Sequence, residues 1–272
     1  MIRRLLLCIL ILPAPALAQQ DKPQRAPAVP LVTHTPYFSV WSAADRPTDE
    51  WSRHWTGRIH AMSGMVRIDG KPYRVLGPEP KAAEALPMTG LRITPTRTLY
   101  TFAAAGVEVG LTFTSPTLPD DLDLLTRPVT YLDWSVKATD GKKHEVACYF
   151  DATAEWAVDR PEQKVNWRTG EAGPLQSISF GVESPTALNR SGDDHRIDWG
   201  RFYVATTTGM HGVFSDRAAR GAFASEGATP ASRDERQPRA ANDQWPVMAF
   251  RLDMGSVGAS ASRWGLLLAY DE

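Results

Sequence analysis

The densest gathering of groups able to do chemistry lies in one short stretch: Trp41, Asp45, Asp49, Glu50, Trp51, Arg53, His54, Trp55 and His60. Asp49 or Glu50 beside His54 could do acid–base work if the chain brings them to a cleft, because such groups can be tuned to move protons near neutral pH. Tryptophan offers a broad flat face for a ligand or for a neighbouring domain. Trp41, Asp49, Trp51, His54 and Trp55 are therefore the candidates for a substrate or domain interface. The competing reading is a surface segment that packs on a neighbouring domain, since spacing alone fixes no mutual geometry.

Two other clusters invite a metal reading and carry it less well. Asp120, Asp121 and Asp123 crowd one loop after Pro119, and three carboxylates could hold Ca²⁺. The EF-hand spacing and its distal Glu are missing, so a solvated turn with local side-chain-to-backbone bonds demands less. Asp193, Asp194, His195 and Asp198 form the second cluster, yet a single His without a second one nearby is a weak zinc signal. No G-x-S-x-G elbow, H-E-x-x-H helix or P-loop occurs. No catalytic residue is assigned by motif, and no metal or cofactor is expected.

The elements that would position these groups read as strands. Met62 to Ile68, Asp69-Gly70 and Tyr73 to Leu76 have the form of a hairpin around a tight turn. Val107, Val109, Leu111 and Phe113 alternate with Glu108, Gly110, Thr112 and Thr114, which predicts a half-buried strand. Leu132, Trp134 and Val136 repeat the pattern, Asp140-Gly141 turns the chain, and Val146, Cys148 and Phe150 continue it. Leu91, Ile93 and Thr98 to Phe102 are strand-like, and further strands are predicted at 177–182, 202–206, 212–214, 247–252 and 264–270. Lys81 to Leu86 could make one helical turn. Residues 216–244, rich in Ala, Arg, Ser and Asp, read as a long exposed loop or mobile insertion. The fold class expected is all-β: a large antiparallel β-sandwich with long loops and at most short helical turns.

The ends suggest processing. Arg3 and Arg4, the apolar run Leu5 to Leu12, and Ala16-Leu17-Ala18 come in the order of a secretory signal peptide. The expectation is cleavage before Gln19, a Pro-rich leader at 19–30, and an exported, periplasmic or extracellular domain at 31–272. The formal net charge of −1 and the absence of a basic stripe exclude nucleic acid as an expected partner. No second long apolar run exists, so no membrane association is expected after signal cleavage. Cys148 would be the only remaining thiol, and its alternating apolar surroundings predict a buried structural Cys. The apolar run Trp264 to Tyr270 stops just before Glu272, which is the expectation for a domain cut from a longer protein.

Several runs, taken in order, resemble the glutaminase A family of secreted fungal and bacterial proteins. They are Val29-Pro30-Leu31-Val32, Pro36 to Trp41, His54-Trp55-Thr56-Gly57, Val66 to Lys71, Pro95 to Thr98 and Thr112 to Pro116. The most specific is Leu118-Pro119-Asp120-Asp121-Leu122-Asp123-Leu124-Leu125-Thr126-Arg127-Pro128-Val129-Thr130-Tyr131, followed by Tyr149-Phe150-Asp151 and Arg196 to Gly200. The resemblance covers about residues 28–272. It implies an N-terminal β-sandwich, a following helical toroid domain of the six-hairpin glycosidase type as partner, and hydrolysis of L-glutamine to L-glutamate and ammonia by the whole protein. It places no catalytic residue. On this basis the chain is expected to be a non-catalytic or site-rim domain, inactive alone, that meets a small amide or a glycan. The alternative expectation is a carbohydrate-binding or purely structural sandwich module.

Overall fold

The computed structural model describes residues 26–272. The expected signal peptide and most of the expected leader therefore lie outside the described residues. Within them, alternation becomes strand wherever one face can be buried. In chain order the strands are β1 Val29–Thr33, β2 Ser39–Ser42, β3 Arg53–His54, β4 Met62–Ile68, β5 Lys71–Leu76, β6 Glu84–Ala85, β7 Met88–Thr94, β8 Arg97–Ala104 and β9 Val107–Thr114. A short helix, α1 Leu122–Leu125, leads to β10 Val129–Ala138 and β11 His144–Thr153. Then come β12 Lys164–Ala172, β13 Leu175–Val182, β14 Arg201–Thr206, β15 Met210–Ser215, α2 Asp216–Glu226, β16 Arg239–Ala240, β17 Pro246–Val257 and β18 Ser262–Asp271.

These strands form an all-β sandwich. A nine-stranded sheet runs β16-β12-β13-β14-β18-β10-β9-β8-β7, a six-stranded sheet runs β15-β17-β11-β4-β5-β6, and β1-β2-β3 make a small third sheet. Side chains of the two large sheets meet in one core that includes Trp134, Trp264, Phe102, Phe113, Phe150 and Phe202. Each fully buried Phe here contributes about 1.5–3 kcal/mol relative to exposure. The apolar run at Trp264 to Tyr270 is explained by its place: β18 is a central strand between β10 and β14.

Three sequence readings are corrected. Residues 216–244 are not simply a loop, because they begin with the eleven-residue helix α2. That helix lays Ala219 and Phe223 on the outer face of the six-stranded sheet, against Met65, Tyr149, Phe214 and Val247. Its end is closed by Gly227 in the left-handed conformation and by Arg67, which donates to the Phe223 and Ala224 carbonyls at 3.3 and 2.6 Å. Lys81 to Leu86 forms no helical turn but a turn followed by β6, which pairs parallel to β5. The first strand begins at Val29, inside the segment read as leader.

The two ends of the sandwich differ. At one end Asp69-Gly70 joins β4 to β5 with φ of 50° and 84°, and Ala105-Gly106 joins β8 to β9 with φ of 50° and 73°. Positive φ at both central residues matches the twist of tight hairpins. His144 sits between these turns and the one at Asp140-Gly141, its Nδ1 2.6 Å from Asp69 Oδ2 and its Nε2 3.1 Å from Asp140 Oδ1. The pairing registers place the connections 43–61, 115–128, 154–163, 183–200 and 216–245 at the opposite end. Among the described residues no helix is long and apolar enough to cross a membrane.

Candidate functional site

Where β11 leaves the six-stranded sheet, the chain makes a 3-10 turn at Ala154–Ala157 that carries Glu155. The turn is packed on all sides, with Trp156 stacked on Phe202 at 4.7 Å between centroids, so Glu155 stays only 7% exposed. Its Oε2 accepts from the Thr153 hydroxyl at 2.8 Å. Burial disfavours the charged form and pushes the Glu155 carboxyl up to about 7, against the hydrogen bonds from Thr153 and the Ala61 backbone. A carboxyl held there can give and take a proton near neutral pH.

Glu155 borders two adjoining clefts of about 230 and 280 Å³, which share Ile59, Glu155 and Trp245 as lining residues. The first lobe adds Trp51, Glu79, Asp216, Arg217 and Arg220. Arg220 is held from behind: its Nε and Nη2 donate to Asp151 at 2.8 Å each, and its Nη1 donates to Asp216 at 3.2 Å. The Tyr149 hydroxyl also donates to Asp151, at 2.8 Å. The guanidinium lies over the Trp51 ring, 4.6 Å from its centre. Burial pushes the Asp216 carboxyl up, and the charge of Glu79 adds to the shift.

The second lobe is lined by Arg53, Arg58, His60 and Asp159. His60 is buried between the rings of His54 and Trp156, at 5.3 and 5.5 Å. Burial holds its imidazole well below the ordinary range, hence neutral, and its Nδ1 has no hydrogen-bond partner. Asp159 is tied to Arg196 at 2.7 Å and to Arg190. Trp245, 36% exposed, stands where the lobes meet. It and Gln244 both adopt positive φ, 42° and 54°, a conformation costing about 1–3 kcal/mol per residue and found where surroundings over-determine a site. The Asp216 N–H donates to the Trp245 carbonyl at 3.1 Å, fastening that turn to the start of α2.

The candidates from sequence divide sharply. Trp51 lines the first lobe. His54 is buried behind the second, its Nδ1 2.9 Å from Thr56 Oγ1 and its Nε2 3.0 Å from the Pro36 carbonyl; burial lowers it to about 4. Trp55 is 50% exposed and donates to the Pro36 carbonyl. Trp41 donates to Ser39 Oγ on its own strand. Asp49 lies at the surface, paired with Arg46 at 3.1 Å. The structure does not bring Asp49 or Glu50 together with His54 by any hydrogen bond or ion pair; Glu50 lies 3.8 Å from Arg53. Glu155, Glu79, Asp216, Arg220 and Trp245 were missed. A lone carboxylate in the run Ala152 to Val158 was the available signal for Glu155.

The other clusters have ordinary partners. Asp121 caps α1 by accepting from the Leu124 N–H at 2.9 Å. Asp194 is bonded to Arg196, Asp198 accepts from Gln163 at 2.8 Å, and His195 Nε2 lies 2.6 Å from the Ser191 carbonyl. Among the described residues no group of three or more His, Cys, Asp or Glu is arranged for a metal ion. Cys148 is buried, with its thiol 3.8 Å from Met254 Sδ, and burial pushes that thiol up, away from the reactive range. A larger groove of about 350 Å³, between the β12–β13 hairpin and Arg233, contains no buried carboxyl.

Residues 96–272 match the family described as "Domain of unknown function (DUF5127)", and residues 6–88 match "Domain of unknown function (DUF4964)". Across 257 residues, 90% of this chain, the sequence is 32% identical to Glutaminase A of Aspergillus oryzae, and the chain spans 36% of that relative's length. Among solved structures, a bacterial glucoamylase complexed with acarbose is similar over 92% of this chain and 34% of that one, at 8% identity and a TM-score of 0.49. A galactose mutarotase related enzyme from Lactobacillus acidophilus is similar over 90% of this chain and 97% of that one, at 7% identity and a TM-score of 0.39.

Proposed function

The chain belongs to the DUF5127 family, and from that premise we propose that it is the N-terminal domain of an exported glutaminase-like amidohydrolase and supplies the rim of its substrate site. The identity to Glutaminase A over most of this chain supports the parent activity, hydrolysis of L-glutamine to L-glutamate and ammonia. The observation that carries the rim role is Glu155, a buried carboxyl held near pH 7 at the junction of two clefts. Amide hydrolysis needs an activated water, donors for the oxyanion, and an acid for the departing ammonia. Glu155 is suited to the last of these. The remaining roles belong to a further domain of the parent, a helical toroid seated at the open end of the sandwich. That end carries the exposed Leu118, Leu122 and Leu125, which suit contact with another body.

The test is ammonia release. The chain alone is expected to release none from L-glutamine, and turnover by it alone overturns the rim role. In a protein that joins this chain to the proposed further domain, Glu155→Gln is expected to lower kcat about 10²–10⁴-fold, the usual worth of a positioned acid. An unchanged kcat removes Glu155 from the chemistry. Export is checked by sequencing the N-terminus of the mature protein, expected at Gln19.

A further inference from the structure

We infer that two copies of this chain pair along β7, antiparallel and two-fold symmetric about Leu91, so that the nine-stranded sheet runs on from one copy into the other. This goes beyond the rim reading and does not rest on it.

Among the described residues the two large sheets end in four edges, and three of them are protected. β15 is overlaid by the connection that follows α2: the Asp234 N–H donates to the Val213 carbonyl at 2.8 Å, and Arg233 Nη2 donates to the His211 carbonyl at 3.1 Å. β12 is met by β16 and by Gln237, whose Oε1 accepts from the Trp167 N–H at 2.6 Å, and its free end carries Arg168 and Glu171. β6 is two residues long. Short, charged or covered edges are how sheets avoid pairing with other chains. β7 differs from all three. It is seven residues long, Met88 to Thr94, with one charge, no proline and no buried residue. Its one irregularity is a bulge between Met88 and Gly90.

The direction of its backbone groups follows from β8. The Ala103 N–H donates to the Pro87 carbonyl at 3.0 Å, so by alternation Arg97, Leu99 and Thr101 also face β7. Their partners Thr94, Arg92 and Gly90 spend their backbone groups on β8. Leu91 and Ile93 therefore turn N–H and C=O outward, and among the described residues no backbone hydrogen bond reaches either from beyond β8. Charge and chemistry then choose the register. Centring two copies on Arg92 sets Arg92 against Arg92, a destabilising like-charge pair. Centring on Ile93 sets Leu91 against Pro95, which has no N–H to give. Centring on Leu91 sets Leu91 against its copy, Arg92 against Gly90, and Ile93 against Thr89 at the bulge, with no charges opposed. Leu91 packs against the rim of the core, and Ile93, on the same side of the strand, is 41% exposed. A second copy alongside covers both. Because each copy offers the same strand, the pairing closes at two.

Sedimentation equilibrium of the full chain tests this. A seam of one short strand is a small interface, so a dimer with Kd of about 10–100 µM is expected. Ile93→Lys puts a charge into the seam and leaves the β8 bonds in place, so it should raise Kd at least about tenfold with little change in the urea midpoint of the monomer. Cysteine cross-linking reads the register without that variant. Leu91→Cys meets its copy at a Cα separation of about 5.5 Å and should form a disulfide-linked dimer under mild oxidation. Arg92→Cys, set against Gly90, should not. The wild-type chain, whose Cys148 is buried, is the blank. A chain that stays monomeric up to about 1 mM, as it would with residues before 26 or a different protein seated on β7, overturns the inference. So does a dimer indifferent to Ile93→Lys, or cross-linking through Arg92→Cys in preference to Leu91→Cys.

Discussion

The two ends of the sandwich are built from the same strands yet solve different problems. At the closed end, turns as short as Asp69-Gly70 and Ala105-Gly106 return the chain at once, and the charges that meet there are partly in water. At the open end, long connections fold back over the sheets and bury charge: Asp151 with Arg220, Asp159 with Arg196, and Glu155 with no cation bonded to it. Short turns keep register. Long connections spend stability on buried polar groups, and sites on a rigid scaffold are built from such loops. The difference teaches where to look for function in a fold whose strands alone say little about it.

The largest expected effect comes from breaking a buried charge at the open end. Asp151→Ala removes the partner of Arg220 and of the Tyr149 hydroxyl, all deeply buried. Leaving the buried guanidinium with Asp216 at 3.2 Å as its remaining carboxylate partner should cost about 3–5 kcal/mol. The counterpart at the closed end is the Lys137–Glu108 pair at 2.8 Å, with side chains 43% and 37% exposed. Glu108→Ala there should cost less than about 1 kcal/mol. Urea unfolding of the two variants measures the contrast, and equal losses would erase it.

Glu155→Gln sharpens the comparison with a sign. The carboxyl is raised in the folded protein from 4.5 to about 7, so the folded state binds its proton more tightly than the unfolded chain. Wild-type stability from this group is whole below pH 4.5 and falls as pH rises to 7. Gln cannot ionise, so the stability of the variant relative to wild type should rise between pH 4 and pH 8, on the order of 3 kcal/mol. Burial holds His34 and His54 near 4, which makes stability rise with pH between about 4 and 6.5. Only the difference between variant and wild type isolates Glu155. A flat difference would mean that the carboxyl is not buried in solution.

Much of the sandwich was legible because alternation reports burial directly. β9 alternates buried and half-buried along its whole length, as its sequence does. β11 shows where this stops: Ala147 and Tyr149 look like a solvent face in sequence, yet both are buried under α2. That helix was hidden because only Ala219 and Phe223 face the sheet, while Arg220 uses a third inward position for an ion pair. The site was less legible for the same reason. Its residues come from the connections around 51–61, 79, 153–161, 216–220 and 245, and only tertiary folding brings them together. Trp51 was found because it sits in a dense local cluster. Glu155 was not, because a single carboxylate among apolar residues has no motif.

A smaller effect tests how tightly the open end is fitted. Gly77 has φ of 79°, and a Cβ there would lie 2.7 Å from the Met62 carbonyl oxygen and 2.8 Å from the Trp51 ring. Gly77→Ala should cost roughly 1–3 kcal/mol, from the positive φ and the contact together. Because Trp51 forms one wall of the first lobe, its fluorescence should shift in the folded variant. Gly141 has φ of 81° at the closed end with open space around its Cβ position. Gly141→Ala should therefore strain the backbone alone, with the smaller loss and no change in tryptophan emission.

The smallest effect belongs to His144, and its value lies in the pH window. Hydrogen bonds to Asp69 and Asp140 raise the His144 imidazole above 6.5, and the same bonds help lower both carboxyls below 3.8. For the His, stability is whole below 6.5 and is lost as pH rises through the raised value. For the two Asp, it is whole above 3.8 and is lost as pH falls through the lowered values. The staple is therefore strongest between roughly pH 4 and 6.5. His144→Gln should lower the urea midpoint in that window and converge on wild type at higher pH. Glu155→Gln departs from wild type between pH 4.5 and 7, in the opposite direction. Opposite signs in the two windows would show that each end carries its own electrostatics. A His144→Gln deficit independent of pH would mean that the ring acts at the closed end by packing alone.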